Sequence, residues 1–379
     1  MNVLITGGAG FIGSRLARKL LEAGATVTLL DNLSEQIHGA DAAYPADLEG
    51  KACCIVGDVR DRDVMRRAIA DQEVIVHLAA ETGTGQSMYR VEHYADVNLQ
   101  GTAILFDLLV NERSPTLRKI VVASSRAIYG EGQYLCPDHG DVYPEARTEE
   151  AMSAGRFDPV CPRCGGAVTV VPTAEATPHG PSSFYGLTKQ VQEQMVLMFA
   201  QTLGIDGFAM RYQNVYGPGQ SLSNPYTGIL AVFSNLVRQG KGLNIFEDGE
   251  ESRDFVFIDD IVDATAAVCR PDVGGVMALN VGSGKRTSVL EVARAVVDYY
   301  NADVPISVTG AYRVGDIRHN VADISRISSL TDFAPKWGFA EGLKAFLDWA
   351  NTHEAADAGF DRSLQELSER QLLKTGKSH

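Results

Sequence analysis

Three residues far apart in the chain have the types that proton transfer at a hydroxyl needs. Ser125 follows an apolar run, Lys119 to Ser124, while Tyr185 and Lys189 stand four apart in a segment with helical spacing. Residues four apart share a helix face, so the Lys189 ammonium can lie near the Tyr185 phenol and lower its pKa towards neutrality. A phenolate held that way is a general base for an alcohol, and Ser125 can share the proton and position the oxygen. Taken singly, such a tyrosine and lysine are a packed ring and a solvated charge; together with what precedes them they read as catalytic.

A second group of residues has the types of a metal site. Cys136-x-x-His139 and Cys161-Pro162-Arg163-Cys164-Gly165 form two pairs with twenty-one residues between them. Thiolate and imidazole at this paired spacing suit a closed tetrahedral zinc site made of Cys136, His139, Cys161 and Cys164. A metal would also let a polar segment fold with few apolar residues. The plain alternative is two tight turns carrying reduced thiols. Cys53, Cys54 and Cys269 lack such pairing, and core packing is the expectation for Cys53 and Cys269.

These groups need a scaffold, and the N-terminus supplies one. Asn2 to Thr6 is a short apolar run that reads as a buried parallel strand. Gly8-x-Gly10-x-x-Gly13 follows directly, and Leu16, Leu20 and Leu21 then recur at helical spacing. Strand, glycine turn and helix make the setting of a dinucleotide fingerprint, in which the helix N-terminus receives the pyrophosphate. A second strand, Thr26 to Leu30, ends in Asp31, eighteen residues after Gly13. A carboxylate there can accept both ribose hydroxyls and would repel a 2′-phosphate, which points to NAD and away from NADP.

The β-α alternation continues through strands at Ala52 to Val56, Val74 to Leu78 and Lys119 to Ser124, with a helix over Val97, Leu99, Leu105, Leu108 and Leu109. It predicts an α/β fold with a Rossmann doubly wound parallel sheet and ligands at the C-terminal strand ends. Asp58, after Gly57, could reach the adenine amine or cap the helix Arg62 to Ile69. Ala79 and Ala80 are small enough for a cofactor to lie over the fourth strand. A polar stretch rich in Pro, Gly and Cys, 131–181, interrupts the rhythm as an insertion. The expected division is a cofactor domain 1–215, a smaller C-terminal α/β substrate lobe 216–352 with Gly207 to Arg211 and Met277 to Val281 rejoining the main sheet, and a charged tail 353–379, a loose helix or disordered.

Composition excludes several functions. The chain has 379 residues with 45% apolar and 22% charged residues and a net charge of −14, ordinary for a globular protein and unsuited to nucleic acid or an anionic membrane. There is no apolar run of membrane-spanning length and the first strand is no signal peptide, so the expected location is the cytoplasm, with reduced cysteines.

The ordered motifs Thr6 to Gly13, Asp31-Asn32, Gly57-Asp58, His77-Leu78-Ala79-Ala80, Asn98, Ser124-Ser125, Tyr185 to Lys189, Arg211 with Asn214-Val215-Tyr216-Gly217-Pro218, and Arg253-Asp254-Phe255 resemble those of the extended short-chain dehydrogenases/reductases of the nucleotide-sugar epimerase/dehydratase family. The resemblance runs from Met1 to about Trp349. It implies NAD held by Gly7, Gly10, Phe11, Ile12, Gly13, Asp31 and Asn32, with Asp58, Val59, Leu78, Ala79, Ala80, Asn98 and Ser124 completing the seat beside Tyr185 and Lys189. It implies that Tyr185 is the base, Lys189 holds the nicotinamide ribose and Ser125 is the third catalytic residue. Thr82, Ser125 and Asn214 would lie near a nucleotide diphosphate sugar, with Arg253, Arg313 and Asp316 at its nucleotide and diphosphate. It further implies a homodimer through helices near 95–110 and 183–203.

Within such a family, dehydratases follow the catalytic hydroxyl with Asp-Glu, and decarboxylases place a Glu two residues after it. Here the hydroxyl is followed by Arg126-Ala127, so the resemblance implies the minimal chemistry of a 4-epimerase, a ketoreductase or dehydrogenase with the same three residues being the rival. Two phrases, residues 125–132 and 219–229, narrow the resemblance to the bacterial dTDP-L-rhamnose 4-epimerases, which also carry a Cys-Pro-x-Cys-Gly insertion.

Overall fold

The computed structural model describes residues 1–39, 42–112, 114–222, 224, 228–355 and 360–374. Its centre is a seven-stranded parallel sheet of β1 (Asn2–Thr6), β2 (Thr26–Asp31), β3 (Cys53–Val56), β4 (Val74–His77), β5 (Lys119–Ser125), β6 (Asp206–Tyr212) and β7 (Val276–Val281), in the order 3-2-1-4-5-6-7. The order reverses between β1 and β4, and a ligand cleft is expected at that switch point. Side chains alternate across the sheet: Val3 and Ile5 join one apolar core, Leu4 the other. On the first face lie α1 (Phe11–Glu22) and Ile258–Cys269. On the second lie α2 (Arg62–Ile69), α3 (Gly101–Asn111) and α4 (Phe184–Leu203). Burial on both faces explains why these strands read as continuous apolar runs.

The segment after β6 builds short pairings. Asn214–Tyr216 runs parallel to Phe255–Phe257, and Leu243–Ile245 runs parallel to Ile306–Val308. Met277 to Val281 forms the outer strand β7 beside β6. The insertion is more regular than its composition suggests, with a three-stranded antiparallel sheet of Gly140–Val142, Tyr134–Cys136 and Thr169–Val170.

Three local expectations are corrected. Cys53 is exposed, because it sits on edge strand β3, whereas Cys269 is buried. The helix Arg62–Ile69 is capped by Asp61, whose carboxylate accepts the N–H groups of Asp63 and Val64, and not by Asp58. The tail, expected as a loose helix or disordered, is helical over Phe360–Glu369 but docked: Leu367 is buried, and Leu373–Lys374 pairs antiparallel with Tyr312–Arg313. Residues 356–359 and 375–379 of the tail lie outside the described residues, as do Ser223, Pro225, Tyr226 and Thr227 of the second phrase.

Candidate active site

The glycine turn packs so tightly that side chains are excluded from it. Gly7 has φ of 71°, and a Cβ there would stand 2.9 Å from the Ala79 nitrogen; at Gly13 it would stand 2.2 Å from the Gly7 carbonyl oxygen. Helix α1 begins after Gly10 with no side chain capping it, which leaves its first N–H groups to face the cleft as an anion site. At the end of β2 the Asp31 carboxylate is oriented by the N–H groups of Ala9 and Leu33, at 3.0 and 2.9 Å. The cleft, of about 460 Å³, is lined by Gly7, Gly10, Phe11, Ile12, Gly13, Asp31, Asn32, Asp58, Val59, Leu78, Ala79 and Ala80. Thr82, Ser124, Ser125, Tyr185, Lys189 and Asn214 line the same cavity. The buried Oδ1 of Asn214 has no partner among the described residues, so a ligand donor would complete it. Glycine turn, bare helix end and strand-end carboxylate together fit a dinucleotide.

Ser125, Tyr185 and Lys189 come together where β5 meets α4. Ser183 caps α4 by accepting the Gly186 N–H at 3.1 Å, which fixes Tyr185 in the first turn. Gly186 allows the close approach, since a Cβ on it would lie 2.5 Å from the Ala127 carbonyl oxygen, in the turn just after Ser125. Ser125 and Tyr185 line the same cavity, with the serine hydroxyl favouring the phenol's charged form. Lys189 is buried and donates to the Ala123 carbonyl at 3.0 Å, while Ser124 donates to Glu193 at 2.6 Å, one turn further along α4. Strand alternation therefore turns Ser124 into α4 and Ser125 towards Tyr185. Glu193 also holds Arg211, which donates to Tyr129 at 2.6 Å, so a buried ion pair fixes α4 on the sheet.

The electrostatics differ from the expectation that Lys189 lowers the phenol's pKa. The ammonium lies 6.0 Å from the Tyr185 ring centre. Burial pushes the phenol up, and the forces opposing it are the bond from Ser125 and the charge of Arg126. Lys189 is itself brought down to about 7 by burial. Burial thus favours the uncharged form of both groups.

Not every expected residue reaches the cleft. Asn98 is fully buried in a π-helical turn, Ala95–Gln100. Its amide clasps the Glu81 N–H and carbonyl and the Thr188 hydroxyl, so it braces the strand-4 loop against α4 and is not among the residues that line the cleft. Arg253 is likewise a brace: both terminal nitrogens bond within the protein, to Asp316 at 2.8 Å and to the carbonyls of Ser252, Ile317 and Arg318. Arg313 and Asp316 line a small adjoining pocket with Ser182 and Leu367. Arg313 lies 4.7 Å from the Phe246 ring centre with its Nε unpartnered, and it remains available to an anion.

Sequence reasoning misses one residue. Arg126 lines the cleft, and burial together with the charge of Arg253 lowers its guanidinium to about 10, against the pull of Asp316 and Tyr185. It is the cation closest in influence to the phenol, yet in the sequence it registers only as the place where a carboxylate is absent.

A dinucleotide cleft at the switch point, with serine, tyrosine and lysine at its inner end, defines an extended short-chain dehydrogenase/reductase. The chain belongs to the NAD dependent epimerase/dehydratase family, whose model matches residues 3–152 and 164–282 and leaves out part of the Cys-rich insertion. It is 39% identical over 350 residues to the dTDP-L-rhamnose 4-epimerase of Burkholderia thailandensis, covering 92% of this chain and 94% of that one. Its structure superposes on a UDP-glucose 4-epimerase with UDP-glucose from Thermotoga maritima (TM-score 0.74, 27% identity, 93% and 99% of the chains). It also superposes on a UDP-glucose 4-epimerase complex with NAD from Thermus thermophilus (TM-score 0.71, 25% identity, 93% and 99%). The protein is an NAD-dependent enzyme of this family. No helix among the described residues is long and apolar enough to cross a membrane.

Proposed function

We propose that the protein epimerises C4 of a nucleotide diphosphate sugar, dTDP-L-rhamnose or another deoxy sugar, through a transient 4-keto sugar. The observation that carries this is the composition of the reaction centre. Ser125, Tyr185 and Lys189 meet there, and Arg126-Ala127 stand where an acid-base carboxylate for elimination would be. Among the carboxylates lining the cleft, Asp31 and Asp58 end or follow strands 2 and 3, and Glu81 is engaged with His93 at 3.1 Å.

Gly7, Gly10, Gly13 and the start of α1 would hold the pyrophosphate, and Asp31 the adenosine ribose. When bound, NAD supplies a hydride acceptor that gives the hydride back, and a cationic ring beside the phenol. Tyr185 removes the C4 hydroxyl proton and later returns it, with Ser125 bonded to the same oxygen. Lys189, anchored on the Ala123 carbonyl, would hold the nicotinamide ribose beside that exchange. Asn214 and Thr82 face the sugar, and Arg126 and Arg313 offer cations for its diphosphate. Residues 1–215 thus seat the cofactor and 216–352 the nucleotide, in the cytoplasm. A homodimer through α3 and α4, which leave Val110, Leu187 and Met198 exposed, belongs to the same reading and is measured by sedimentation.

The test is incubation of purified protein with dTDP-L-rhamnose, and with UDP-glucose as a comparison, without added nicotinamide. Formation of the C4 epimer of the dTDP sugar to an equilibrium mixture is expected. A stoichiometric requirement for reduced nicotinamide would make the protein a 4-ketoreductase instead.

A further inference from the structure

The insertion contains chemistry that the epimerisation does not use. The Cys136 sulfur lies 3.5 Å from His139 Nδ1 and 3.8 Å from the Cys164 sulfur, and the Cys161 sulfur lies 3.6 Å from the same nitrogen. All four ligand atoms fall within 4.8 Å of one another. A tetrahedral zinc ion about 2.3 Å from sulfur and about 2.0–2.1 Å from nitrogen has edges of about 3.8 Å between sulfurs and about 3.5–3.6 Å between sulfur and nitrogen. The three separations match those edges. They do not fit disulfides, whose sulfurs are about 2.05 Å apart, and all three cysteines are unpaired.

The packing points the same way. The insertion's own apolar cluster has four buried members, Tyr134, Cys136, Val142 and Cys161, and two of these are the ligands themselves. Its strands are two or three residues long, too short to hold together by pairing alone. A closed four-ligand ion supplies the missing cross-link.

From this knot the insertion reaches the substrate lobe. The side chain of Arg147, 3% exposed, donates to Glu131 at 3.0 Å, to Glu247 at 2.8 Å and to the Asp316 carbonyl at 2.9 Å. Glu131 in turn accepts the Arg318 N–H at 2.8 Å, and Ser153 bonds the Tyr312 hydroxyl at 2.7 Å. The segment from Tyr312 to Arg318, with Arg313 and Asp316 on it, is therefore hung from the insertion.

We propose that Cys136, His139, Cys161 and Cys164 bind one structural zinc ion, and that this ion fixes the wall on which the nucleotide-diphosphate contacts of the substrate lobe are mounted. All four positions of the tetrahedron belong to the protein, so the ion activates no water and takes no part in the reaction. The first half stands without the epimerase reading; the second rests on it.

The experiment is metal analysis of the full chain purified under reducing conditions without chelator, followed by removal of the metal and titration with Co²⁺. About one zinc per chain is expected, with thiolate-to-cobalt absorption in the cobalt form. In Cys164→Ser, which loses a direct ligand, the zinc affinity should fall by more than the roughly 10–100-fold that an outer-shell change costs, whereas Cys53→Ser should bind as the wild type does. The metal-depleted protein should keep its bound NAD while KM for the nucleotide sugar rises. Wild-type protein with almost no zinc and no cobalt absorption would overturn the site. Full zinc with an unchanged KM after depletion would overturn the coupling alone. Wild-type metal content decides the site by itself, so the test holds even where Cys164→Ser does not fold.

Discussion

The cofactor cleft and the Cys-rich insertion are built on opposite principles, although they lie in one chain. The cleft is made by backbone: strand ends, a glycine turn and a helix terminus, all fixed by apolar cores on both sheet faces. The insertion is made by side chains. It has four buried members in its own core and is tied to its neighbours by buried ion pairs, Glu131–Arg147–Glu247 and Arg318. A backbone site tolerates loss of single side chains outside the chemistry, whereas a site hung on charges and thiols does not. The reacting group therefore belongs to the cleft and the most fragile contact to the insertion.

That contrast can be broken by substitution. The largest effect is expected at Tyr185→Phe, which removes the base and leaves the cleft walls in place: kcat should fall about 10²–10⁴-fold with NAD retained, as read by turnover and by the absorbance of bound cofactor. Next comes Arg147→Ala, far from the phenol. It leaves Glu131 buried without its cation and Glu247 with Arg318 alone, and chemical denaturation should show a loss of about 3–5 kcal/mol, with KM for the nucleotide sugar raised and bound NAD little changed. Asp31→Ala removes the carboxylate proposed for the ribose, and a cost of about 1.5–3 kcal/mol in NAD affinity is expected by calorimetry. If Arg147→Ala released NAD, or Asp31→Ala raised KM for the sugar instead, the two regions would not be separable as described.

The smallest effect concerns proton affinity. Burial raises the phenol of Tyr185, so its neutral form is favoured and the group stays protonated through neutral pH in the NAD-free protein. The ultraviolet difference between wild type and Tyr185→Phe at phenolate wavelengths should accordingly show no ionisation of this residue until above its ordinary value of about 10. Arg126 opposes that rise. Arg126→Leu should move the titration still higher, and a shift to lower pH would show that Arg126 is not the cation that acts on the phenol.

How far the molecule is visible in its sequence follows the same division. Gly7, Gly13, Asp31, Tyr185 and Lys189 are legible because backbone geometry and helix spacing dictate their residue types. The quartet Cys136, His139, Cys161 and Cys164 is legible as well, because ligand pairs carry a spacing of their own. Asn98 reads as a cofactor contact, yet its side chain is spent on the protein: its π-helical turn and its bonds to Glu81 and Thr188 arise from tertiary packing that no local pattern announces. Arg253 reads as a diphosphate ligand, yet the carbonyls of Ile317 and Arg318 that occupy it come from a distant segment. Arg126 escapes notice because its role depends on Arg253 and Asp316 converging on it. The tail reads as loose because its apolar residues are few, but pairing of Leu373–Lys374 with Tyr312–Arg313 is a long-range contact.

The proposed reaction requires that hydride leave C4 and come back to it within one active site. The direct measurement is conversion of dTDP-L-rhamnose carrying deuterium at C4, in ordinary water and without added nicotinamide, with the product followed by proton NMR. The C4 epimer is expected to retain the deuterium. Replacement of the label by protium, or no conversion until reduced nicotinamide is added in stoichiometric amount, would contradict it.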